Sequence, residues 1–331
     1  MKIAFFETQP WEAEYLKARL PGFDLAFYDN ANGASDAEAE ILCNFIGFRV
    51  DTSVLDRFPK LKYITTRSTG FDHIDAAGCR KKNISVSNVP TYGENTVAEF
   101  TFALLLALSR KLYPAIKRIR EDALFSCDDL QGFDLMGKTL GVIGTGHIGT
   151  YTIKIAAGFG MHVIAYDPFP KAELATAYNF EYVGLDELLK QADVISLHVP
   201  YMPSTHHILS QKNLKLVKPG AVLVNTSRGG LVETSGLIEV LKSGQLAGAA
   251  MDVLEEEGFI KEEAEMLAMG HPNQEQLKIV LADHELMHMP NVLITPHNAF
   301  NTKEALTRIL DTTISNIQGF AKGTPINLVK A

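Results

Sequence analysis

Three ionisable side chains of types that work together in acid–base chemistry each follow an apolar segment in the second half of the chain. Arg228 follows AVLVNTS, an acidic cluster at 255–257 follows LAGAAMDV, and His297 follows VLITP. A guanidinium binds a carboxylate through two parallel hydrogen bonds and polarises a neighbouring carbonyl. An imidazole delivers a proton near neutral pH, and a carboxylate beside it favours the protonated form. The three types together predict a site for a small molecule that carries a carboxylate and a ketone.

Each of these residues also has a simpler interpretation. Arg228 could cap a helix or pair at the surface, Glu257 could be a solvated member of the EEE run, and His297 could be a loop histidine. Their shared position favours the site, because ligands of open parallel sheets bind outside the carboxyl ends of the strands.

The string HELMH, His284 to His288, matches a zinc-protease motif, which needs both histidines on one continuous helix and a third ligand. Pro290 follows His288 by two residues and a strand-like NVLITP comes next, so we expect the helix to end there and predict no metal site. His206 and His207 follow PST in a loop and are expected to be exposed.

Short apolar segments alternate with helical patterns along nearly the whole chain, which is typical of an α/β protein with parallel sheets. The predicted strands are 2–6, 24–28, 41–46, 62–66, 84–88, 139–144, 162–167, 193–200, 221–227, 246–253 and 292–296. Long helices are expected at about 95–110 and 302–322, and 121–137 reads as irregular. We predict two doubly wound parallel-sheet domains. The closing helix has no strands of its own, so it is expected to pack back onto the first domain.

A glycine-rich loop marks the start of the second series of strands. In TLGVIGTGHIG, the residues Gly144, Gly146 and Gly149 have the G-x-G-x-x-G spacing, between a strand and an amphipathic helix. This context predicts a dinucleotide whose pyrophosphate lies at the helix N-terminus. Asp167 ends the next strand, 18 residues after Gly149, where a carboxylate accepts from a ribose 2′-hydroxyl and repels a 2′-phosphate. NAD is therefore favoured over NADP, although Lys171 nearby leaves tolerance of a phosphate open.

Composition limits the classes of protein. The net charge of −8 argues against a nucleic-acid partner, which needs a basic face. The hydrophobic fraction of 46% is ordinary for a soluble globular protein. The longest apolar run, 97–109, contains Glu99 and falls short of the roughly 20 residues of a membrane span. The three cysteines form no CxxC pair, so a reducing cytoplasm is the expected location.

Six segments together carry a resemblance over nearly the whole length: RSTGFDHID (67–75), NVPTYGENTVAEF (88–100), GKTLGVIGTGHIG (137–149), NTSRGGLVE (225–233), MDVLEEE (251–257) and TPHNAF (295–300). The chain resembles the D-specific 2-hydroxyacid dehydrogenase family. Within it, the chain is most similar to the fermentative D-lactate dehydrogenases, which also carry a long segment where this chain has 258–289.

The resemblance implies an NAD-binding Rossmann domain and a smaller flavodoxin-like substrate domain with a cleft between them. The substrate domain would be discontinuous, with 1–99 plus 299–331, and the dinucleotide domain would span 100–298. It implies that His297 donates a proton, that Glu257 orients it, and that Arg228 binds the substrate carboxylate. Members are commonly homodimers.

Further residues match positions of the family that contact substrate or cofactor. For the substrate, the resemblance implies the backbone amides of Thr69 and Gly70, with Tyr92 in the pocket wall. For NAD, besides the glycines and Asp167, it implies His147, Ile148, Val199, Pro200, Thr205, Thr226, Ser227 and Asp252. His73 and Asn298 depart from the usual residues of their motifs. Phe48 and Val50 are candidates for the residue that covers the substrate.

Three functions follow as alternatives. The first is NAD-dependent reduction of a small 2-oxo acid, with pyruvate to D-lactate as the leading case. The second is the same reaction on bulkier acids such as 2-oxoisocaproate or phenylpyruvate. The third is a non-catalytic NADH-sensing protein of the same fold.

Overall fold

The computed structural model describes residues 1–28, 36–255 and 274–329, and of 274–277 it describes the backbone. The chain divides into two compact units. The smaller comprises Met1–Tyr92 together with Asn301–Ala331, and the larger comprises Gly93–Phe300.

The smaller unit is built on a parallel sheet with the strand order β2-β1-β3-β4-β5. These strands are β1 (Lys2–Phe6), β2 (Asp24–Tyr28), β3 (Ala39–Asn44), β4 (Tyr63–Thr66) and β5 (Ser85–Ser87). Its helices are α1 (Pro10–Arg19), α2 (Thr52–Asp56), α3 (Ala76–Lys81) and the C-terminal helix Lys303–Ala321.

The C-terminal helix covers one face of this sheet. Leu310, Ile314 and Ile317 are buried in one apolar cluster with residues of β1, and the ring of Phe320 stacks on Tyr63 with centroids 4.3 Å apart. The apolar stripe of this helix therefore finds its partner in the first part of the chain, at a sheet whose other face has a separate core.

The larger unit is built on a second parallel sheet with the order β12-β11-β10-β9-β6-β7-β8. Its strands are β6 (Thr139–Ile143), β7 (His162–Tyr166), β8 (Glu181–Tyr182), β9 (Val194–Leu197), β10 (Ala221–Asn225), β11 (Leu246–Met251) and β12 (Val292–Ile294). Its helices are α4 (Glu94–Ser109), α5 (Leu112–Asp122), α6 (His147–Gly158), α7 (Ala172–Tyr178), α8 (Leu185–Gln191), α9 (Gln211–Leu214), α10 (Thr234–Lys242), the 3₁₀ turn Gly229–Leu231 and the helix Gln274–Met287.

The strand order of the larger sheet reverses at β6. The chain runs outward from β6 through β7 to β8, then returns to β9 on the other side and continues to β12. This is the doubly wound arrangement, whose ligand site lies at the carboxyl ends of the strands beside the reversal. The prediction of two parallel-sheet α/β domains is confirmed.

Each predicted strand segment overlaps an observed strand, although β3 begins and ends two residues before the predicted 41–46, and the short strand β8 was not predicted. The predicted domain boundary at 99/100 falls inside α4, which lies whole in the larger unit. Phe102 of α4 stacks on Phe159 at the end of α6, with centroids 5.2 Å apart, so this helix packs on the dinucleotide domain as one body. Within the described ranges, no helix is long and apolar enough to cross a membrane.

Candidate active site

The glycine loop after β6 has the geometry that its spacing predicts. Gly144 has a φ of +97°, and a Cβ there would lie 2.7 Å from Val199 Cγ1 and 2.8 Å from the backbone of His198. A Cβ on Gly149 would lie 2.0 Å from the carbonyl oxygen of Gly144. Only glycine fits these two positions, because the turn is left-handed and the helix passes close to the strand.

The middle glycine faces open space. A Cβ on Gly146 would meet no atom of the described chain within 4 Å, and α6 starts immediately after it with His147 and Ile148. The helix N-terminus therefore presents its N–H groups beside an unobstructed backbone, which fits the pyrophosphate of a dinucleotide.

Asp167 lies directly after β7, where the predicted ribose contact requires a carboxylate. Its Oδ2 accepts hydrogen bonds from the backbone N–H and hydroxyl of Thr145, at 2.8 and 2.9 Å, and its Oδ1 accepts from Phe169 N at 2.9 Å. Partial burial works to raise the pKa of Asp167, but these hydrogen bonds and the nearby Lys171 outweigh it, and the net pKa is lowered. The carboxylate is thus held ionised, in the form that repels a 2′-phosphate.

Arg228, Asp252 and His297 follow three adjacent strands at the same edge of the sheet. The last residues of β10, β11 and β12 are in register, since Asn225 pairs with Met251 and Met251 with Ile294. At a spacing of about 4.8 Å between neighbouring strands, the ends of β10 and β12 are about 10 Å apart. That separation suits an arginine and a histidine that act on one small molecule.

The turn that carries His297 is built around the carboxylate of Asp252. Oδ1 accepts from the Thr295 hydroxyl at 2.5 Å and from Asn298 N at 2.8 Å, and Oδ2 accepts from Ala299 N at 2.8 Å. His297 itself has a φ of +50°, and its N–H donates to the carbonyl of Asp252 at 2.8 Å. A left-handed histidine is strained and persists only where its surroundings fix it.

Asp252 is therefore engaged with the histidine turn through both carboxylate oxygens. Burial raises the pKa of Asp252, against the hydrogen bonds from Thr295, Asn298 and Ala299, which favour its ionised form. The geometry indicates that Asp252 positions His297, while its contact with NAD stays a prediction.

Arg228 lies at an extended position between β10 and the 3₁₀ turn, with φ −144° and ψ 141°. Its carbonyl accepts from Asn225 Nδ2 at 2.9 Å, and its Nη1 donates to the carbonyl of Ser227 at 2.8 Å. The backbone at Arg228 is thus tied to the last residue of β10, which is fully buried.

Hydroxyl groups shape the other predicted cofactor loops. Ser227 Oγ donates to the carbonyl of Leu197 at 2.7 Å, and Thr226 Oγ1 lies 2.9 Å from Thr101 Oγ1. Thr205 Oγ1 donates to the carbonyl of Pro200 at 2.7 Å, closing the loop that begins at Val199. These bonds hold the loops after β9 and β10, and direct contact with NAD by these residues stays a prediction.

In the smaller unit, a loop after β4 holds Thr69 and Gly70. The Thr69 hydroxyl donates to Val89 O at 2.8 Å, Asn88 Nδ2 donates to Thr69 O at 2.7 Å, and Ser68 Oγ donates to Gly70 O at 2.7 Å. Within the part of the chain that the structure describes, neither amide N–H donates to a protein acceptor. Two adjacent N–H groups on a fixed loop are suited to bind a carboxylate. Tyr92 is the last residue of the first segment of this unit, and its carbonyl accepts from Arg308 Nε.

Arg67, which the motif analysis did not single out, anchors this loop. Its side chain is 2% exposed and forms an ion pair at 2.9 Å with Glu12, whose side chain is 7% exposed. Nη2 also donates to the carbonyls of Phe6 and Glu7 at 2.7 and 2.5 Å. The available sequence signal was an arginine directly after the predicted strand 62–66.

The suggestion that Phe48 or Val50 covers the substrate is wrong. Phe48 is 3% exposed and Val50 0% exposed, and both belong to the core on one face of the sheet. Phe45 instead directly follows β3 and is only partly buried, with its ring centroid 5.5 Å from Arg67 Cζ. Phe45 therefore lies at the carboxyl edge of the sheet, beside the residue that precedes the Thr69–Gly70 loop.

Glu257 lies outside the described residues. In HELMH, the helix ends at Met287, His288 lies beyond it, and His288 Nδ1 donates to the carbonyl of His284 at 2.7 Å. Among the described residues there is no group of three His, Cys, Asp or Glu side chains that could hold a metal ion.

His206 is exposed as expected, but the expectation for His207 is wrong, because this residue is partly buried and bonded to Glu255.

A doubly wound sheet, a glycine loop at a helix N-terminus and an arginine and a histidine at the same edge define a dinucleotide-dependent oxidoreductase. Comparison with known proteins gives the family. Residues 102–299 match the model of the D-isomer specific 2-hydroxyacid dehydrogenase, NAD binding domain. The chain belongs to the D-isomer specific 2-hydroxyacid dehydrogenase family, and its cofactor is NAD.

Relatives and solved structures match nearly the whole chain. A 2-hydroxyacid dehydrogenase homolog of Schizosaccharomyces pombe is 38% identical over 97% of this chain and 96% of its own. The D-lactate dehydrogenase of Escherichia coli is 36% identical over 98% of both chains. The structure of D-lactate dehydrogenase from Aquifex aeolicus, complexed with NAD and lactic acid, has a TM-score of 0.87 at 35% identity, covering 99% of this chain and 98% of that one.

Proposed function

We propose that this protein reduces a small 2-oxo acid, most simply pyruvate, to the D-2-hydroxy acid with NADH. The observation that carries the proposal is the register of β10, β11 and β12, which brings Arg228 and His297 to one edge of the NAD-binding sheet. The similarity to D-lactate dehydrogenases over nearly the full length supports pyruvate as the leading substrate.

NADH supplies the hydride for the carbonyl carbon. Arg228 binds the substrate carboxylate and polarises the carbonyl, for which a planar guanidinium is better suited than an ammonium group. His297 donates a proton to the oxygen as negative charge develops there. Glu257 is proposed to favour the protonated imidazole, and Asp252 holds the turn from which that imidazole extends.

The smaller unit is proposed to serve substrate binding, with the amides of Thr69 and Gly70 donating to the carboxylate and Tyr92 in the pocket wall. Their fixed loop supports this role, since its conformation is set by Asn88, Val89 and the buried Arg67. Preorganised N–H groups bind an anion without a further loss of conformational freedom.

A homodimer is proposed because α5 presents an apolar face to solvent. None of the described residues of this helix is buried, and Leu112, Ile116 and Ile119, at 46%, 53% and 51% exposure, are spaced along one face. Phe125, just beyond the helix, is 94% exposed. An apolar surface of this extent is typical of a protein interface, and a second copy of the chain is its proposed occupant.

A cytoplasmic location is proposed as well, because the three free cysteines suit a reducing compartment.

The test is a panel assay of NADH oxidation with pyruvate, oxaloacetate, 2-oxoisocaproate and phenylpyruvate. We expect pyruvate to give the highest kcat/KM, and Arg228→Lys to lower that value at least tenfold while NADH still binds. A preference for 2-oxoisocaproate or phenylpyruvate would replace pyruvate with the bulkier class. Tight NADH binding without turnover on any acid would refute the reductase and favour an NADH-sensing protein.

A further inference from the structure

A buried carboxylate outside the proposed catalytic set lies close to the arginine. The side chain of Glu255 is 8% exposed, and its Oε1 lies 2.5 Å from His207 Nε2. Oε2 accepts from the hydroxyl of Thr234 at 2.8 Å and from the backbone N–H of the same residue at 3.2 Å. Because an ionised carboxylate only accepts, His207 must carry a hydrogen on Nε2 to complete the set.

This carboxylate joins three segments that are distant in the chain. His207 belongs to the loop after β9, Thr234 is the first residue of α10, and Glu255 follows β11. Thr234 is itself buried, and its hydroxyl also lies 3.4 Å from the buried Asp283 of the helix Gln274–Met287. One side chain thus ties together the loops that emerge at the carboxyl edge of the sheet.

The same segments enclose the backbone next to Arg228. A Cβ on Gly229 would lie 1.9 Å from the carbonyl group of Leu254 and 2.3 Å from Glu255 N, so the two stretches are in direct contact. On the other side, His207 N donates to the carbonyl of Gly230 at 2.9 Å. Gly229 and Gly230, the residues immediately after Arg228, are therefore held between the Glu255 segment and the His207 loop.

We propose that Glu255 is a positioning residue which, through His207 and Thr234, fixes the backbone that places the Arg228 guanidinium. This inference rests on the proposed function, in which Arg228 binds the substrate carboxylate. A bidentate guanidinium needs accurate placement, and an error of about 1 Å at such a group lowers catalytic efficiency by up to about 100-fold. Removing Glu255 leaves buried donors without an acceptor, so the loops must rearrange around them.

The kinetic test compares Glu255→Ala with the conservative Glu255→Gln and with a control. In Glu255→Ala, we expect kcat/KM for the oxo acid to fall about 10- to 100-fold, chiefly through KM, with the Kd of NADH within about twofold. In Glu255→Gln, the amide oxygen still accepts from Thr234 and the amide N–H₂ donates to the other tautomer of His207, so the loss should stay within about threefold. Glu239→Ala removes an exposed carboxylate of the same unit, bonded to Gln211 and Lys215, and should leave both constants unchanged.

A double-mutant cycle separates positioning of Arg228 from a general structural effect. In an Arg228→Lys background, Glu255→Ala should cost no more than about threefold, because a flexible point charge depends little on the placement of its backbone. An equal loss in both backgrounds, or no loss in the Arg228 background, would overturn the proposal. NADH titration and near-UV circular dichroism of each variant measure the folded fraction, by which the rates are divided.

Failure of the proposed function is recognised separately. If the wild-type protein reduces none of the oxo acids, the proposed function falls and this inference falls with it. If the wild type turns over and the cycle shows no coupling, only the role of Glu255 is refuted.

Discussion

Replacement of Asp252 by asparagine tests whether the turn around His297 is held by one buried carboxylate. The substitution preserves size and keeps one acceptor oxygen, but it puts an N–H₂ group where Oδ2 accepts from Ala299 N. The amide oxygen can retain the two donors on the other side, the Thr295 hydroxyl and Asn298 N. The substitution therefore removes one charge-assisted hydrogen bond. It also places the new amide N–H₂ opposite the N–H of Ala299, so that two donors face each other.

The expected magnitude follows from these contacts. A hydrogen bond to a charged group contributes about 1.5–3 kcal/mol, and loss of the buried charge offsets part of that cost. We expect the turn to be destabilised by about 2 kcal/mol, which corresponds to about a 30-fold loss in kcat if it is expressed at His297 in the transition state. The Kd of NADH should change less than kcat, because the glycine loop and Asp167 lie at other strands and the predicted contact of Asp252 with NAD is only one of several.

The assay combines steady-state kinetics, NADH titration and urea unfolding. Asp193→Asn is the matched control. This partly buried carboxylate precedes β9 at the opposite edge of the same sheet and accepts from Thr139 N and from Lys218. It should lower stability and leave kcat unchanged. The reasoning is refuted if Asp252→Asn keeps kcat within about threefold of wild type, or if Asp193→Asn loses kcat equally.

Three further predictions concern the cofactor, the assembly and the pH response. Asp167→Ser should raise the ratio of NADPH to NADH use at least tenfold, because the ionised carboxylate that repels a 2′-phosphate is gone; an unchanged ratio in kcat/KM contradicts this. Ile116→Glu should convert a dimer to a monomer in sedimentation velocity, whereas Lys117→Glu, one residue away, should not; equal behaviour of the two variants excludes α5 as the interface. Burial works to raise the pKa of Asp193, but the hydrogen bonds from Lys218 and Thr139 N outweigh it, and the net pKa is lowered. The ionised Asp193 side chain therefore stabilises the fold above the pKa that it has in the unfolded chain. This contribution is lost as pH falls through the pKa that it has in the folded protein. The difference in unfolding free energy between wild type and Asp193→Asn should therefore shrink as pH falls from about 5 to about 3, and a difference that is constant with pH contradicts it.

The strands were predictable because buried parallel strands are nearly continuous runs of apolar, β-branched residues. The runs AVLVN and DVISL therefore predict buried strands. A charged residue soon after such a run is expected to lie at the carboxyl edge of the sheet. The glycine spacing was equally informative, since Gly144 and Gly149 are required by a left-handed turn and a close backbone approach. These features depend on local sequence, which a single chain displays directly.

Features that depend on partners distant in the chain could not be predicted. His207 reads as a loop histidine, and only folding brings it to Glu255, 48 residues away. The role of Asp252 at the histidine turn depends on donors 43 to 47 residues away. Strand β8 has two residues at the sheet edge, too few for any periodicity to register. Phe48 and Val50 were misplaced because they follow β3 in an irregular segment, where no periodicity shows which side chains enter the core.

The central claim, that His297 is the proton donor, is tested most directly by His297→Ala. The account predicts that kcat with pyruvate falls by about 10²–10⁴ while the Kd of NADH, from fluorescence titration, stays within about twofold of wild type. A variant that binds NADH normally and still reduces pyruvate within about threefold of the wild-type rate would contradict it.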